Sequence, residues 1–271
     1  MKKWFVLVGI LFVGVLAGCG SDSNEDVTVV RVGVVGAFQD HWEKVNELLA
    51  DEGIRVELVT FSDFATPNTA LNDGELDLNA FQNHGFFNNA IETNGYDLVA
   101  IGDTFVTPLN IFVYNHQISD VSALQEGDEV GIPSDLTNGG RALKLLEAAG
   151  LIVMDPAVGY LGTEADITSN PSGIVIVPAE SGMLAGMLPD LAAAVINAPN
   201  AIAGGLSVDD DSIFTEDSFD IEIADDLVNL IAARSDEADN PVFRRIVETF
   251  QTEEVRQVLL DVFQGAFIPA W

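Results

Sequence analysis

Cysteine, histidine and basic residues are scarce in this chain of 271 residues, and each shortage removes a class of function. The one cysteine, Cys19, leaves no internal disulfide framework and no thiolate cluster for a metal, so an exported fold must hold by packing alone. Three histidines, His41, His84 and His116, stand far apart with no carboxylate spacing around them, and each is expected to be a surface or structural residue. Eleven Lys and Arg face 43 Asp and Glu, a formal net charge of −32, which makes nucleic acid and anionic lipid poor partners. The chain has no Gly-x-Ser-x-Gly elbow, no His-Glu-x-x-His pair and no phosphate loop, and Gly33-Val34-Val35-Gly36 lacks dinucleotide spacing. The expectation is a protein that is not an enzyme and needs no cofactor or metal.

What is present begins with that cysteine. Cys19 closes Leu16-Ala17-Gly18-Cys19 behind the apolar run Trp4 to Leu16, which follows Lys2 and Lys3. A charged start, a short apolar stretch and small residues before a cysteine read as a lipoprotein signal covering residues 1–18. The run falls short of the roughly 20 residues a membrane span needs. Cleavage before Cys19 and acylation of its sulfur would hold an exported protein on the outer face of the cell membrane, the periplasmic side in a Gram-negative cell. An ordinary signal peptide with a chance cysteine, or an uncleaved anchor, is the alternative. Residues 19–27 then form a short acidic tether.

The remainder can build a sizeable core, with 48% hydrophobic residues and 16 Phe in the chain. Strand-like and helical patterns alternate. Strands are expected at Thr28 to Val35, Arg55 to Phe61, Asp77 to Phe81 and Leu98 to Gly102, with helices at His41 to Leu49, Thr66 to Leu71 and Gly85 to Thr93 between them. The pattern restarts with strands at Glu129 to Pro133, Ile174 to Val177 and Leu191 to Ile196 and a helix at Asn138 to Ala149, then closes with helices at Pro241 to Phe250 and Glu253 to Phe263. This is an α/β chain of two lobes, expected at 28–108 plus 230–271 and at 109–229, with connections near Thr107 to Tyr114 and Asp225 to Arg234.

Polar residues at strand ends carry the chemistry, since open α/β sheets bind ligands there. In Pro133-Ser134-Asp135-Leu136-Thr137-Asn138-Gly139-Gly140-Arg141, Thr137 or Asn138 stands at a helix N-terminus with Arg141 one turn in. Backbone N–H groups, the helix dipole and a guanidinium fork suit a small carboxylate; an N-cap beside an exposed arginine is the equal alternative. Asn197 follows the apolar run Ala192 to Ile196 and either faces the same crevice or turns the chain.

The segments Phe61-Ser62-Asp63-Phe64-Ala65-Thr66-Pro67-Asn68, Leu78-Asn79-Ala80-Phe81-Gln82, Gly102-Asp103-Thr104-Phe105-Val106, Thr137 to Leu143, Ala194-Val195-Ile196-Asn197 and Ile268-Pro269-Ala270-Trp271 follow in order along the chain. Together, from about Val30 to Trp271, they resemble the MetQ/NlpA family of methionine-binding lipoproteins. The resemblance implies a bilobed type II periplasmic-binding-protein fold whose lobes are joined by two hinge crossings. It also implies a small amino-acid ligand, an ABC permease with its ATPase as partner, and a lipid anchor at Cys19. By the same resemblance Arg141 pairs with the ligand carboxylate, Asn138 lies beside it, Asn197 and Asn229 contact the amino-acid head group, and Phe81 walls the side-chain pocket.

The chain departs from the family pattern at three pocket positions. Phe-Gln-His followed three residues later by Tyr becomes Phe81-Gln82-Asn83 and then Phe86, and Phe64 stands where tyrosine is common. Two phenyl rings and an amide therefore replace three polar handles, and no role passes to His84, one position along. The expected ligands widen to another apolar amino acid, D-methionine or a short methionine peptide. A lipid-anchored sensor or adhesion module on the same fold is the competing function.

The charge generates a prediction. The acids are spread along the chain, as in Asp209-Asp210-Asp211 and Asp225-Asp226, which suits a solvated carboxylate coat and a salt-adapted organism. Repulsion within that coat should weaken the fold in dilute buffer and be screened as salt rises. The melting temperature should climb from dilute buffer to molar sodium chloride; a flat or falling curve would remove the salt-tolerance explanation.

Overall fold

The computed structural model describes residues 27–36, 39–216, 224–263 and 267–271. The expected signal peptide and Cys19 lie outside the described residues. The chain first lays down β1 (Thr28–Val35), α1 (Asp40–Leu49), β2 (Ile54–Phe61), α2 (Thr66–Asn72), β3 (Leu78–Asn83), α3 (His84–Asn94) and β4 (Leu98–Val106). It continues with β5 (Leu109–Phe112), β6 (Glu129–Pro133), α4 (Leu136–Ala148), β7 (Val153–Met154), β8 (Ile167–Ser169), β9 (Val175–Ala179), α5 (Leu184–Met187), β10 (Ala193–Asn197), α6 (Ala198–Ala203), α7 (Val208–Asp211) and β11 (Ser212–Thr215). The last described elements are α8 (Ala224–Leu227), β12 (Val228–Arg234), α9 (Pro241–Phe250), α10 (Glu253–Phe263) and β13 (Ile268–Pro269).

Two sheets share one plan. The first runs β13-β4-β12-β3-β1-β2 and the second β11-β5-β10-β6-β9, with β7 and β8 forming a separate ribbon. In the first, β1 is parallel to β2 and β3, while β12 is inserted antiparallel between β3 and β4. In the second, β6 is parallel to β9 and β10, while β5 is inserted antiparallel between β10 and β11. β5 is the first strand after the chain leaves the first sheet, and β12 is the strand that returns to it. The carboxyl ends of β3, β4, β6 and β10 consequently point at the gap between the sheets, beside the amino end of β12.

Helix positions follow from apolar spacing. In α1 the buried residues His41, Trp42, Val45 and Leu49 make one stripe, and in α9 Phe243, Ile246, Val247 and Phe250 do the same behind Pro241 and the Asn240 cap. These stripes pack on Val30, Val32 and Val34 of β1 to form the first core. The second core joins Leu109 and Ile111 of β5, Val130 and Ile132 of β6, and Leu143 and Leu146 of α4. The stretches expected as connections contain β5 and β12 instead. Both are buried inside a sheet, β5 along its whole length, so neither shows the alternation that marks a half-exposed strand. β4 likewise runs four residues beyond its expected end, drawn out by pairing with β12 and β13.

Every described lysine and arginine sits within ion-pair distance of a carboxylate, from Arg31 with Asp77 to Arg256 with Glu253. Most of these pairs are partly exposed, so each adds little stability. Among the described residues no Asp or Glu is fully buried.

His41 is the buried exception among the histidines. Its ring packs against Trp42, Phe105, Phe250 and Phe267 at centroid distances of 6.1, 5.7, 5.6 and 6.3 Å, and burial lowers its pKa from 6.5 to about 3. The unfolded chain therefore takes up a proton at His41 that the folded chain refuses. Stability from this residue is complete above pH 6.5 and falls as pH drops towards 3. By about pH 5, before most carboxylates titrate, the loss should reach roughly 2 kcal/mol. His41→Leu should flatten the fall in melting temperature between about pH 6.5 and 5. His84 and His116 are common to both proteins, so an unchanged slope would refute the assignment.

Candidate functional site

All eight residues expected at the site, Phe64, Phe81, Asn83, Phe86, Asn138, Arg141, Asn197 and Asn229, line one cavity of about 50 Å³ between the two sheets. Its two ends differ in chemistry. At one end three phenyl rings form a cage: Phe64 and Phe81 lie stacked at 6.1 Å, and Phe86 meets them edge-on at 6.2 and 6.1 Å. Phe81 comes from the end of β3, and Phe86 from the first turn of α3. Asn83 joins them, because its side-chain oxygen accepts from the Phe86 N–H at 2.8 Å and caps α3. Phe64 is held by its neighbour. Burial pulls the Asp63 carboxyl upward, but hydrogen bonds from the N–H and hydroxyl of Thr66 and the N–H of Ala65 outweigh it and hold Asp63 below the usual carboxylate range.

Behind the cage lies a group of buried amides to which no role was assigned from sequence. Asn68 of α2 and Gln82 of β3 exchange two hydrogen bonds of 2.7 Å, and Asn79 donates to Asn68 at 2.9 Å while accepting from Gln82 at 3.1 Å. Buried amides are tolerated when they satisfy one another, and here they fix α2 to the strand that carries Phe81.

The other end is polar and belongs to α4 and β10. The N-cap of α4 is Asp135, two or three residues ahead of the expected Thr137 or Asn138. Asp135 accepts from the Asn138 backbone at 2.9 Å, from its side chain at 3.1 and 3.2 Å, and from the Thr137 hydroxyl at 2.9 Å. Asn138 in turn accepts from Asn197 at 2.8 Å, which leaves Asn197 Oδ1 buried with no donor. Asn197 is the last residue of β10, and Asn229, paired across the sheet with Asn83, donates to the Phe105 carbonyl at 3.0 Å. The first turn of α4 reaches this position because Gly140 has no side chain: a Cβ there would lie 2.2 Å from the Tyr160 carbonyl oxygen.

Arg141 is buried, not exposed. It forms a forked ion pair with Glu216, Nε donating to Oε1 at 2.7 Å and Nη2 to Oε2, and Nη2 also donates to the Thr107 carbonyl at 2.9 Å. Sequence reasoning missed Glu216 because 75 residues separate the partners and nothing local marks the pair. His84 lies away from the cavity, 2.7 Å from Asp103. Gln39, His41, Thr107 and Pro199 are among the other lining residues and carry no sequence motif of their own.

An inter-sheet cleft with polar groups at strand ends, built on two sheets of the same plan, defines a bilobed solute-binding protein of the type II periplasmic class. The sequence profile of the NlpA lipoprotein family matches residues 30–271, and the chain belongs to that family. It is 40% identical to the D-methionine-binding lipoprotein MetQ of Escherichia coli K12 over 275 aligned positions, covering 99% of this chain and 98% of that protein. Among solved structures, it is similar to a nutrient-binding protein from Burkholderia cenocepacia bound to methionine, with TM-score 0.83, 30% identity, and 89% of this chain and 100% of that one covered. It is also similar to the substrate-binding protein of a methionine transporter from Streptococcus pneumoniae, with TM-score 0.84, 32% identity, and coverage of 90% and 96%.

The amide group gives a test of what holds the cage. Asn68→Leu would remove the donor to Gln82 Oε1 and the acceptor shared by Gln82 and Asn79, leaving these buried amides only partly satisfied, at a cost of about 1–3 kcal/mol for each unsatisfied group. Urea unfolding should show a loss in that range. A variant as stable as the parent would show that the network does not support β3.

Proposed function

We propose that this protein captures methionine, or an amino acid of similar side chain, in the inter-lobe cleft and delivers it to an ABC importer. One observation carries the reading: a single cavity has a buried guanidinium and amides at one end and three phenyl rings at the other. In this reading Arg141 receives the carboxylate through its guanidinium. Asn197 Oδ1, a buried acceptor without a donor, takes an N–H of the ammonium, with Asn138 and Asn229 bordering the head group. The Phe64, Phe81 and Phe86 rings surround the side chain, where a thioether gains about 0.3–1.5 kcal/mol per sulfur–ring contact. Relatives named for D-methionine and for methionine support this ligand class.

The anchor is part of the proposal. A lipid on Cys19 would hold the protein on the outer face of the cell membrane, within reach of a permease. Among the described residues no helix is long and apolar enough to cross a membrane.

A longer ligand is favoured by one feature. A second cavity of about 170 Å³ shares Val35, Phe64 and Phe86 with the first, and in it Ser181 Oγ and Asn200 Nδ2 are buried without partners. A short methionine peptide would offer both atoms a polar backbone.

Calorimetry across L-methionine, D-methionine, leucine, alanine and glycylmethionine tests the assignment. Arg141→Ala should weaken every amino-acid ligand by roughly 2–5 kcal/mol by removing the charge-assisted contact. Phe81→Ala should penalise methionine more than alanine. If a folded Arg141→Ala protein binds the best of these ligands as tightly as the parent, the pocket is wrongly assigned.

A further inference from the structure

Arg141 meets the cleft with most of its donors already committed. Nε and Nη2 are taken up by Glu216 and the Thr107 carbonyl, and Nη1 has no partner among the described residues. Arg141 lines the cleft and Glu216 does not, so the carboxylate stands behind the guanidinium, away from any ligand. The pair is nearly sealed, with side-chain exposures of 4% and 10%.

The position of Glu216 in the chain gives the pair its reach. Glu216 directly follows β11, on the stretch that leads back to the first sheet. Its N–H donates to the Leu109 carbonyl at 2.9 Å, and its carboxylate accepts from the Leu109 N–H at 3.0 Å. Leu109 opens β5, just past the outgoing crossing, and Thr107 lies in that crossing. One carboxylate therefore ties the end of β11 to the start of β5, next to the outgoing crossing, and holds the arginine that reaches Thr107.

The charge balance of the cleft depends on the same group. A buried guanidinium without a counter-charge would attract any anion that fits. Paired with Glu216 it is neutral overall, and apart from Arg141 and the neutral His41 no ionisable side chain is among the described residues lining the cavity. A neutral cavity bordered by Arg141, whose Nη1 has no partner among the described residues, and by a bare acceptor at Asn197 Oδ1 matches a zwitterion, whose own charges cancel. A bare carboxylate would give up its hydration for an arginine whose charge is already compensated, and a bare ammonium would find no counter-charge.

We infer that Glu216 is a positioning residue that turns Arg141 so that Nη1 faces the cleft and cancels its charge, making the site selective for zwitterions over anions or cations of the same side chain. This rests on the reading of Arg141 as the carboxylate contact.

The test uses three ligands with one side chain: L-methionine, its des-amino anion 4-(methylthio)butanoate, and the cation L-methioninamide. In the parent, calorimetry at neutral pH should rank L-methionine above both. In Glu216→Gln the cleft gains a net positive charge, and the preference for L-methionine over the anion should fall at least tenfold. Glu216→Asp, which keeps the charge, should retain most of that preference. A residue of purely structural importance would lower the melting temperature of the free protein and leave the ratio unchanged, and that result would overturn the proposal. So would a parent protein that binds the anion as tightly as L-methionine, a measurement that needs no variant to fold. If Arg141→Ala leaves both affinities unaltered, the carboxylate contact itself is misassigned and the proposal falls with it; an Arg141 effect without a Glu216 effect on the ratio sinks the proposal alone.

Discussion

The structure depends on a chain that crosses twice between two sheets and, after each crossing, inserts its next strand antiparallel into the interior of the sheet it enters. β5 and β12 supply these strands, so each sheet is completed by a segment arriving from the other. Removing either would leave neighbours with unpaired backbone groups inside a core, a cost that the remaining contacts would not offset. The same insertion brings the amino end of an antiparallel strand alongside the carboxyl ends of its parallel neighbours. Asn229 thus stands opposite Asn83, although the two are far apart in the chain.

The cleft inherits its division of labour from that plan. The loop after β2, strand β3 and the first turn of α3 provide phenyl rings, and the start of α4 with the end of β10 provides amides and a guanidinium. Each half is stiffened from behind by satisfied polar groups: the Asn68, Asn79 and Gln82 amides behind the rings, and Asp135 and Glu216 behind Asn138 and Arg141. Buried polar contacts of this kind add modest net stability, but they allow few alternative geometries. Side chains that must meet a small ligand at fixed distances need such support.

Charge is handled differently inside and outside. On the surface, carboxylates outnumber cations so heavily that each described lysine and arginine already has an acidic neighbour, and no described carboxylate is fully buried. At the cleft one cation and one carboxylate are matched and nearly sealed from solvent. A protein this acidic still keeps the binding cavity close to neutral, because the cavity is lined by amides, phenyl rings and small residues and admits a single compensated pair.

Local signals made much of the fold legible. Glu129–Pro133, Pro241–Phe250 and Glu253–Phe263 have the bounds their patterns predict, since a proline at a helix start, an amphipathic stripe or a compact apolar run acts over a few residues. The α/β class was also readable from alternating patterns, and four of the eight cleft residues, Phe64, Phe81, Asn138 and Arg141, through family resemblance at Phe61 to Asn68, Leu78 to Gln82 and Thr137 to Leu143. What the sequence hid was every feature defined by a distant partner. β5 and β12 look like linkers until their sheets surround them, and nothing near Arg141 in the sequence shows the Glu216 carboxylate that folding places against it. Even the conformation of α4 turns on Gly140 meeting the Tyr160 carbonyl, a backbone approach that no local pattern encodes. Residue type and spacing determined which elements form and which side chains carry chemistry; only the tertiary structure decided which charges are cancelled and which polar atoms are left for a ligand, because those depend on groups brought together across the whole chain.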